Sequence, residues 1–203
     1  MYVPPEYTFT DSAEQLAFMR AYPFVTLVTA DTAGVPRATH VPVIIAETGD
    51  SWHIKTHLAK ANPQQEDFTR EVLLIFQEPH AYISPSLYER KLNVPTWNYV
   101  AVHLYGTVNI LDEMTDKIAL LEASMQSFES EYLAQWATLP DAYKMALLDG
   151  IIALEIHPQR IEAKAKLSQN KTERDRENII AHLSNSEQGT ERDLANLMTK
   201  HKK

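Results

Sequence analysis

The 203-residue chain contains no cysteine, which removes disulfides, thiolate metal ligands, iron–sulfur clusters and thiol catalysis together. Glycine is scarce as well. Gly34, Gly49, Gly106, Gly150 and Gly189 are the only five, too scattered to form a GxGxxG turn or a P-loop, so any bound phosphate must be held by side chains. A broad basic surface is lacking: the formal net charge is -8 and the pI is near 5.5. Counterion release needs clustered Lys and Arg, so this balance disfavours direct DNA binding. No run approaches the ~18 apolar residues of a membrane span. The start MYVPPEYTFTDSAEQ has neither the basic nor the apolar region of a secretory signal. The expectation is a soluble, cytoplasmic protein.

With 44% hydrophobic residues the chain can bury one sizeable core, so one domain with an appendage is expected. The most informative stretch runs from Pro79 to Gly106, where His80, Tyr82, Ser84, Trp97, Asn98, Tyr99 and His103 interleave with Ile83, Val94, Val100 and Val102. Buried polar tips need partners, so this composition points either to a dense internal network or to a bound ligand.

Local patterns predict the elements. Pro4 and Pro5 make the first nine residues an extended arm, and Asp11 with Glu14 caps a helix ended by Pro23. Then come FVTLVTA, the turn DTAGVP, RATHVPVIIAE, the turn ETGDS and WHIKTH, read as a three-stranded meander. A short helical piece LAKAN, a buried strand EVLLIFQE and a long strand NYVAVHLYGTVNIL follow. Helices are predicted over Thr115–Tyr132 and Pro140–Leu148, then a pair of strands broken at His157 and Pro158. Thr172 with Asp175, and Thr190 with Asp193, predict two capped, charged, weakly apolar helices in the tail. Close strand spacing with peripheral helices favours a closed β-barrel over a parallel sheet.

Three clusters carry possible chemistry. Lys55, Thr56, His57 and Lys60 gather cations and a hydroxyl where a strand ends, a pattern suited to a phosphomonoester and equally to a solvated strand end. Lys164, Lys166, Ser168, Gln169 and Asn170 form a polar flap, Lys164, Lys166 and Ser168 sharing a strand face, or an ordinary basic strand end. His53 and His57 have metal-ligand spacing, but on a strand they lie roughly 13 Å apart, so no metal is expected. GxSxG is absent, and Ser84, Ser86 and Ser168 have no identifiable relay beyond the proximity of Ser84 to His80, so no catalytic residue is assigned.

Taken in order, FVTLVTA, PRATHVPV, HLAKANPQ, VLLIFQEPHAYISPS, VPTWNYVAVHLYG and RIEAKAKLSQNKTERDR resemble the PaiB family of FMN-binding split-barrel proteins. The resemblance runs from about Met1 to Leu183. It implies an α+β, mainly β fold: a six-stranded, Greek-key-like split barrel over residues 1–170, with peripheral helices and a helical tail over 171–203. It also implies a homodimer with FMN at the subunit interface. On this reading Thr39, His40, Val41 and Pro42 line the isoalloxazine, and Thr56, His57 and Lys60 match the phosphate end. Trp97, Asn98, Lys166, Ser168 and Gln169 approach from the partner subunit. Ala163 stands where the late motif carries glycine. The family implies a negative transcriptional regulator, and related split barrels include flavin reductases, pyridoxamine phosphate oxidases and haem-degrading enzymes. A regulatory or redox-sensing protein and a flavin-dependent oxidoreductase acting on a small molecule therefore both stay open, with the redox partner unassigned.

Overall fold

The computed structural model describes residues 1–48 and 51–201. The centre of the ETGDS turn, Gly49 and Asp50, and the terminal Lys202 and Lys203 lie outside the described residues. The described residues form seven strands: β1 (Phe24–Ala30), β2 (Pro36–Pro42), β3 (Ile44–Thr48), β4 (Ser51–Ala59), β5 (Val72–Ile83), β6 (Thr96–Leu111) and β7 (Ile151–Lys166). The helices are α1 (Ser12–Ala21), α2 (Met114–Phe128), α3 (Tyr132–Thr138), α4 (Asp141–Asp149), α5 (Glu173–Ser184) and α6 (Gly189–Lys200). Hydrogen-bonded neighbours follow the order β2-β1-β5-β6-β7-β4-β3. None of the described helices is long and apolar enough to cross a membrane.

The chain forms two compact units, and β5, β6 and β7 each contribute residues to both. The first comprises Met1–Phe18, Gln77–Val102 and Glu162–Lys203; the second comprises Met19–Phe76 and His103–Ile161.

In the second unit, period-two alternation sets the core. Val25, Leu27 and Thr29 of β1 are buried while Phe24 is exposed, and β1 pairs antiparallel with β2 from Phe24 opposite Pro42 to Ala30 opposite Pro36. The DTAGVP turn forms as expected, with the Asp31 carboxylate accepting from the N–H groups of Ala33 and Val35, each at 2.9 Å, and Gly34 at φ 84°.

The expected single strand RATHVPVIIAE is two strands, and the seven strands are one more than the six that the resemblance implies. Pro42 has no N–H to continue a ladder, and the Val43 N–H turns to the Pro23 carbonyl at 2.8 Å. The chain then leaves β1, and β3 pairs with β4 from Ile44 opposite Lys55. Conversely, the expected break at His157 and Pro158 does not occur, and β7 is continuous. Its register with β4 ends at Ile156, so the missing Pro158 donor costs no bond on that side. Gly106 permits a close backbone approach there, because a Cβ on it would lie 2.5 Å from the His157 carbonyl oxygen.

LAKAN is not helical: β4 runs through Ala59, the Lys60 N–H bonds to the Gly150 carbonyl at 2.9 Å, and a short 3-10 turn over Pro63–Asp67 follows. Ile44, Leu120 and Ala153 form a small buried cluster completed by Leu111.

In the first unit, Asp11 caps α1 by accepting from the Glu14 N–H at 2.9 Å. Thr172 caps α5 in the same way, its hydroxyl accepting from the Asp175 N–H at 3.1 Å. Thr190 does not cap α6. That helix starts at Gly189 with Gln188 at the cap position, two residues before Thr190, and the Ser186 hydroxyl accepts from the Gln188 N–H at 3.1 Å. The tail helices are also less peripheral than their charge suggests: Ile179, Leu183, Leu194 and Met198 are fully buried. The Arg176 guanidinium donates to the carbonyls of Leu167, Met198 and His201, which fastens both helices to the end of β7.

Candidate functional site

The second unit holds Thr39, His40, Val41, Pro42, Thr56, His57 and Lys60. Along β2 the alternation divides the first four. Val41 is buried and Thr39 half-buried, whereas His40 and Pro42 are exposed on the other face. The Thr39 hydroxyl donates to Gln64 Oε1 at 2.6 Å and accepts from Asn62 Nδ2 at 3.1 Å. His40 Nδ1 lies 3.1 Å from the Thr26 hydroxyl, and its ring stacks on Phe24 with centroids 6.3 Å apart. The outward face of β1 and β2 thus carries the Phe24 and His40 rings and Pro42.

Thr56 and His57 likewise face opposite ways. The Thr56 side chain is buried and donates to the Pro42 carbonyl at 2.7 Å, tying β4 to the end of β2. His57 is half-buried, and burial holds its imidazole below the ordinary histidine value, so it stays neutral at pH 7. Lys60 is exposed, and its ammonium has no ion-pair partner among the described residues. Its backbone is fixed on both sides, the N–H to Gly150 and the carbonyl to Gln65 Nε2 at 2.9 Å.

The residues that position this set went unassigned from the sequence. Gln64 is buried and donates through Nε2 to the Leu27 and Arg37 carbonyls at 3.1 and 3.3 Å. Asn62 Oδ1 accepts from the Gln64 N–H at 3.0 Å. Asp67 accepts from the Thr29 hydroxyl at 2.9 Å and faces Arg37 at 3.4 Å. Their signal was present in ANPQQED, a polar run beginning with an Asn-Pro turn directly after a strand.

The same unit carries an open groove of about 630 Å³ lined by Trp52, His53, Lys55, Glu155 and His157 among others. The Glu155 carboxylate lies 3.2 Å from His53 Nε2, 3.3 Å from Lys55 Nζ and 3.0 Å from His157 Nε2. Lys55 is thereby committed to Glu155.

Trp97, Asn98, Lys166, Ser168 and Gln169 belong to the first unit. Trp97 is 53% exposed and packs on His80 and Tyr82, with ring centroids 6.0 and 5.9 Å away. Asn98, next in sequence, faces inward at 0% exposure. Its Nδ2 donates to the Ser168 hydroxyl at 2.9 Å, and that hydroxyl lies 3.1 Å from Asn98 Oδ1. Ser168 lies beyond the end of β7, with φ at 60°, so the expected shared strand face with Lys164 and Lys166 stops at Lys166. That left-handed backbone carries its hydroxyl to Asn98.

Gln169 bonds its own backbone, accepting from the Leu167 N–H at 2.7 Å and donating to the Ala165 carbonyl. Lys166 Nζ donates to the Thr96 hydroxyl, and burial pushes its pKa down. Ser84 pairs with Ser86 at 2.9 Å, while His80 is taken up by Trp97. Ala163 is buried and its carbonyl accepts from the Phe9 N–H at 3.3 Å, so alanine fits where the motif carries glycine.

Comparison with known proteins is decisive at this point. Residues 1–160 match the family model described as "Putative FMN-binding domain". The chain is also 37% identical over 202 residues to protease synthase and sporulation protein PAI 2 of Bacillus subtilis, covering 98% of this chain and 96% of that one. This chain belongs to the PaiB family. Solved structures with a similar fold include the flavocytochrome Anf3 of Azotobacter vinelandii, with a TM-score of 0.61 at 15% identity over 78% of this chain and 69% of that one. The FAD and heme binding protein of Mycobacterium smegmatis also scores 0.61, at 13% identity over 79% and 73%. At such identities the likeness is one of fold, and it agrees with the mainly antiparallel, split-barrel class expected from the PaiB motifs.

Proposed function

We propose that this PaiB-family protein binds FMN as a homodimer and serves as a redox-sensing regulatory protein. The observation that carries the reading is Lys60, an exposed cation with no ion-pair partner among the described residues, whose backbone is fixed at the end of β4, three residues after a half-buried neutral histidine. A phosphomonoester dianion is the natural counter-ion for such a site. The exposed His40 and Pro42 face, with Phe24 beside it, has the flat apolar character that an isoalloxazine stacks on. Lys60, His57 and the β2 face would hold the nucleotide, which supplies electron-transfer chemistry when bound.

The homodimer is supported by the exposed rings of Trp97 and Tyr82, clustered with His80, and by the exposed Val94 and Leu92, close by in sequence. Clustered exposed apolar side chains mark interaction sites.

The test is the visible spectrum of the natively purified protein together with its mass in solution. Yellow protein releasing FMN on denaturation, at twice the chain mass, is the expected result; a colourless monomer that takes up no FMN overturns it. Anaerobic mixing with NADH or NADPH separates the sensor from an oxidoreductase. Rapid flavin reduction by either nucleotide would favour the enzyme.

A further inference from the structure

The first unit contains a cavity of about 160 Å³ among Tyr7, Tyr88, Val94–Thr96, Asn98, Lys166, Ser168, Asn170 and Lys171. Its lining carries two ammonium groups and no carboxylate. Lys166 donates to Thr96, and Lys171 donates to Asn93 Oδ1 at 2.7 Å while lying 4.2 Å over the Tyr88 ring. Neither cation is neutralised by these neutral partners. Asp175 is close enough to act on Tyr88, but its carboxylate is engaged by the Glu89 N–H at 2.9 Å and does not line the cavity.

The Tyr88 side chain supplies a second, independent observation. The residue is 7% exposed, and its hydroxyl is buried with no hydrogen-bond partner among the described residues. Leaving a buried hydroxyl unpaired costs about 1–3 kcal/mol, which a ligand oxygen would recover. Lys166 and Lys171 are both half-buried and both line the cavity, so a bound anion would face two ammonium groups.

Size and lining restrict the class of anion. A cavity of about 150 Å³ holds benzene, so this one takes roughly six non-hydrogen atoms. Val94 and Pro95 offer apolar surface opposite the polar groups, which suits a short carbon chain ending in a carboxylate better than an all-oxygen anion such as phosphate.

We infer that this cavity is a binding site for a small organic carboxylate, with Lys166 and Lys171 supplying the positive charge and the Tyr88 hydroxyl donating to the carboxylate. The site lies wholly within the first unit and does not require bound FMN. It shares Asn98, Lys166 and Ser168 with the proposed flavin set, whereas Tyr88 and Lys171 belong to it alone.

The test is calorimetric titration of the full-length protein with sodium butyrate, 1-butanol and inorganic phosphate, alongside Tyr88→Phe and Lys171→Gln. FMN affinity and the thermal melt are measured on every sample. Saturable butyrate binding at millimolar concentration is expected, with no binding of butanol and weaker binding of phosphate. Each variant should weaken butyrate by about tenfold, the loss of one charge-assisted hydrogen bond, while FMN affinity and the melt stay unchanged. Absence of butyrate binding, equal binding of butanol, or preference for phosphate overturns the inference. So does a parallel loss of FMN affinity in both variants, which would assign the cavity to the flavin site instead; unaltered butyrate binding in both would equally exclude it.

Discussion

In the second unit Lys60 and His40 keep their polar tips at the surface, whereas in the first unit Asn98 and Ser168 close on each other at almost complete burial. Both pairs come from motifs of the same family signature, yet one presents chemistry and the other fixes backbone. Even neighbours separate in this way: Trp97 is half exposed and Asn98 is sealed, because successive strand residues point to opposite faces. A recognisable motif therefore mixes residues that present polar groups at the surface with residues that hold the strand in place.

The largest expected effect tests the buried half. Asn98→Ala removes both bonds to Ser168 and leaves that buried hydroxyl without its partner, which should cost about 2–3 kcal/mol of stability. Chemical denaturation measures it. A loss below about 0.5 kcal/mol, the scale of an ordinary surface change, would erase the contrast.

Next comes Lys60→Ala, which should weaken FMN by roughly thirtyfold, about 2 kcal/mol, and leave the melting temperature unaltered. Flavin fluorescence quenching reads the affinity. A stability loss with retained affinity would move Lys60 to the structural side of the comparison.

Trp97→Ala should be smaller in the isolated chain and visible in assembly. Sedimentation is expected to show a dimer weakened by at least about fivefold, or 1 kcal/mol, with little change in secondary structure. An unchanged dimer would show that this aromatic cluster serves something other than self-association.

The smallest effect concerns His57. Burial depresses its folded pKa below the 6.5 of an unperturbed histidine, so the unfolded chain takes up the proton first. Its contribution to stability is full above about pH 6.5 and is lost as the pH falls through the folded value. His57→Asn should flatten that acid limb in pH-dependent denaturation. Bound FMN should raise the His57 pKa in an NMR titration if the phosphate lies beside it.

Much of the element pattern was legible in the chain. Asp11 and Thr172 declared their helices, and DTAGVP declared its turn, because caps and turns are settled by bonds within a few residues. The break at Val43 and the continuity through Pro158 were not legible. Whether a proline interrupts a strand depends on whether a neighbouring strand needs its missing donor, and that neighbour is far away in sequence. Within the candidate site Lys60 was readable as a cation at a strand end. Gln64, which fixes the turn after it, was hidden because its partners are the carbonyls of Leu27 and Arg37 on other strands.

The amino-acid order alone determined the absence of thiol and P-loop chemistry, the acidic balance, and the family motifs, since composition and short spacings need no partner to be read. Tertiary structure decided which residues of those motifs face outward. It also gathered Tyr88, Lys166 and Lys171 around one cavity, because side chains 78 residues apart, such as Asn93 and Lys171, become neighbours only when strands and loops pack. Burial did the rest: the same hydroxyl that water would satisfy on an extended chain becomes an unpaired donor once packing excludes solvent.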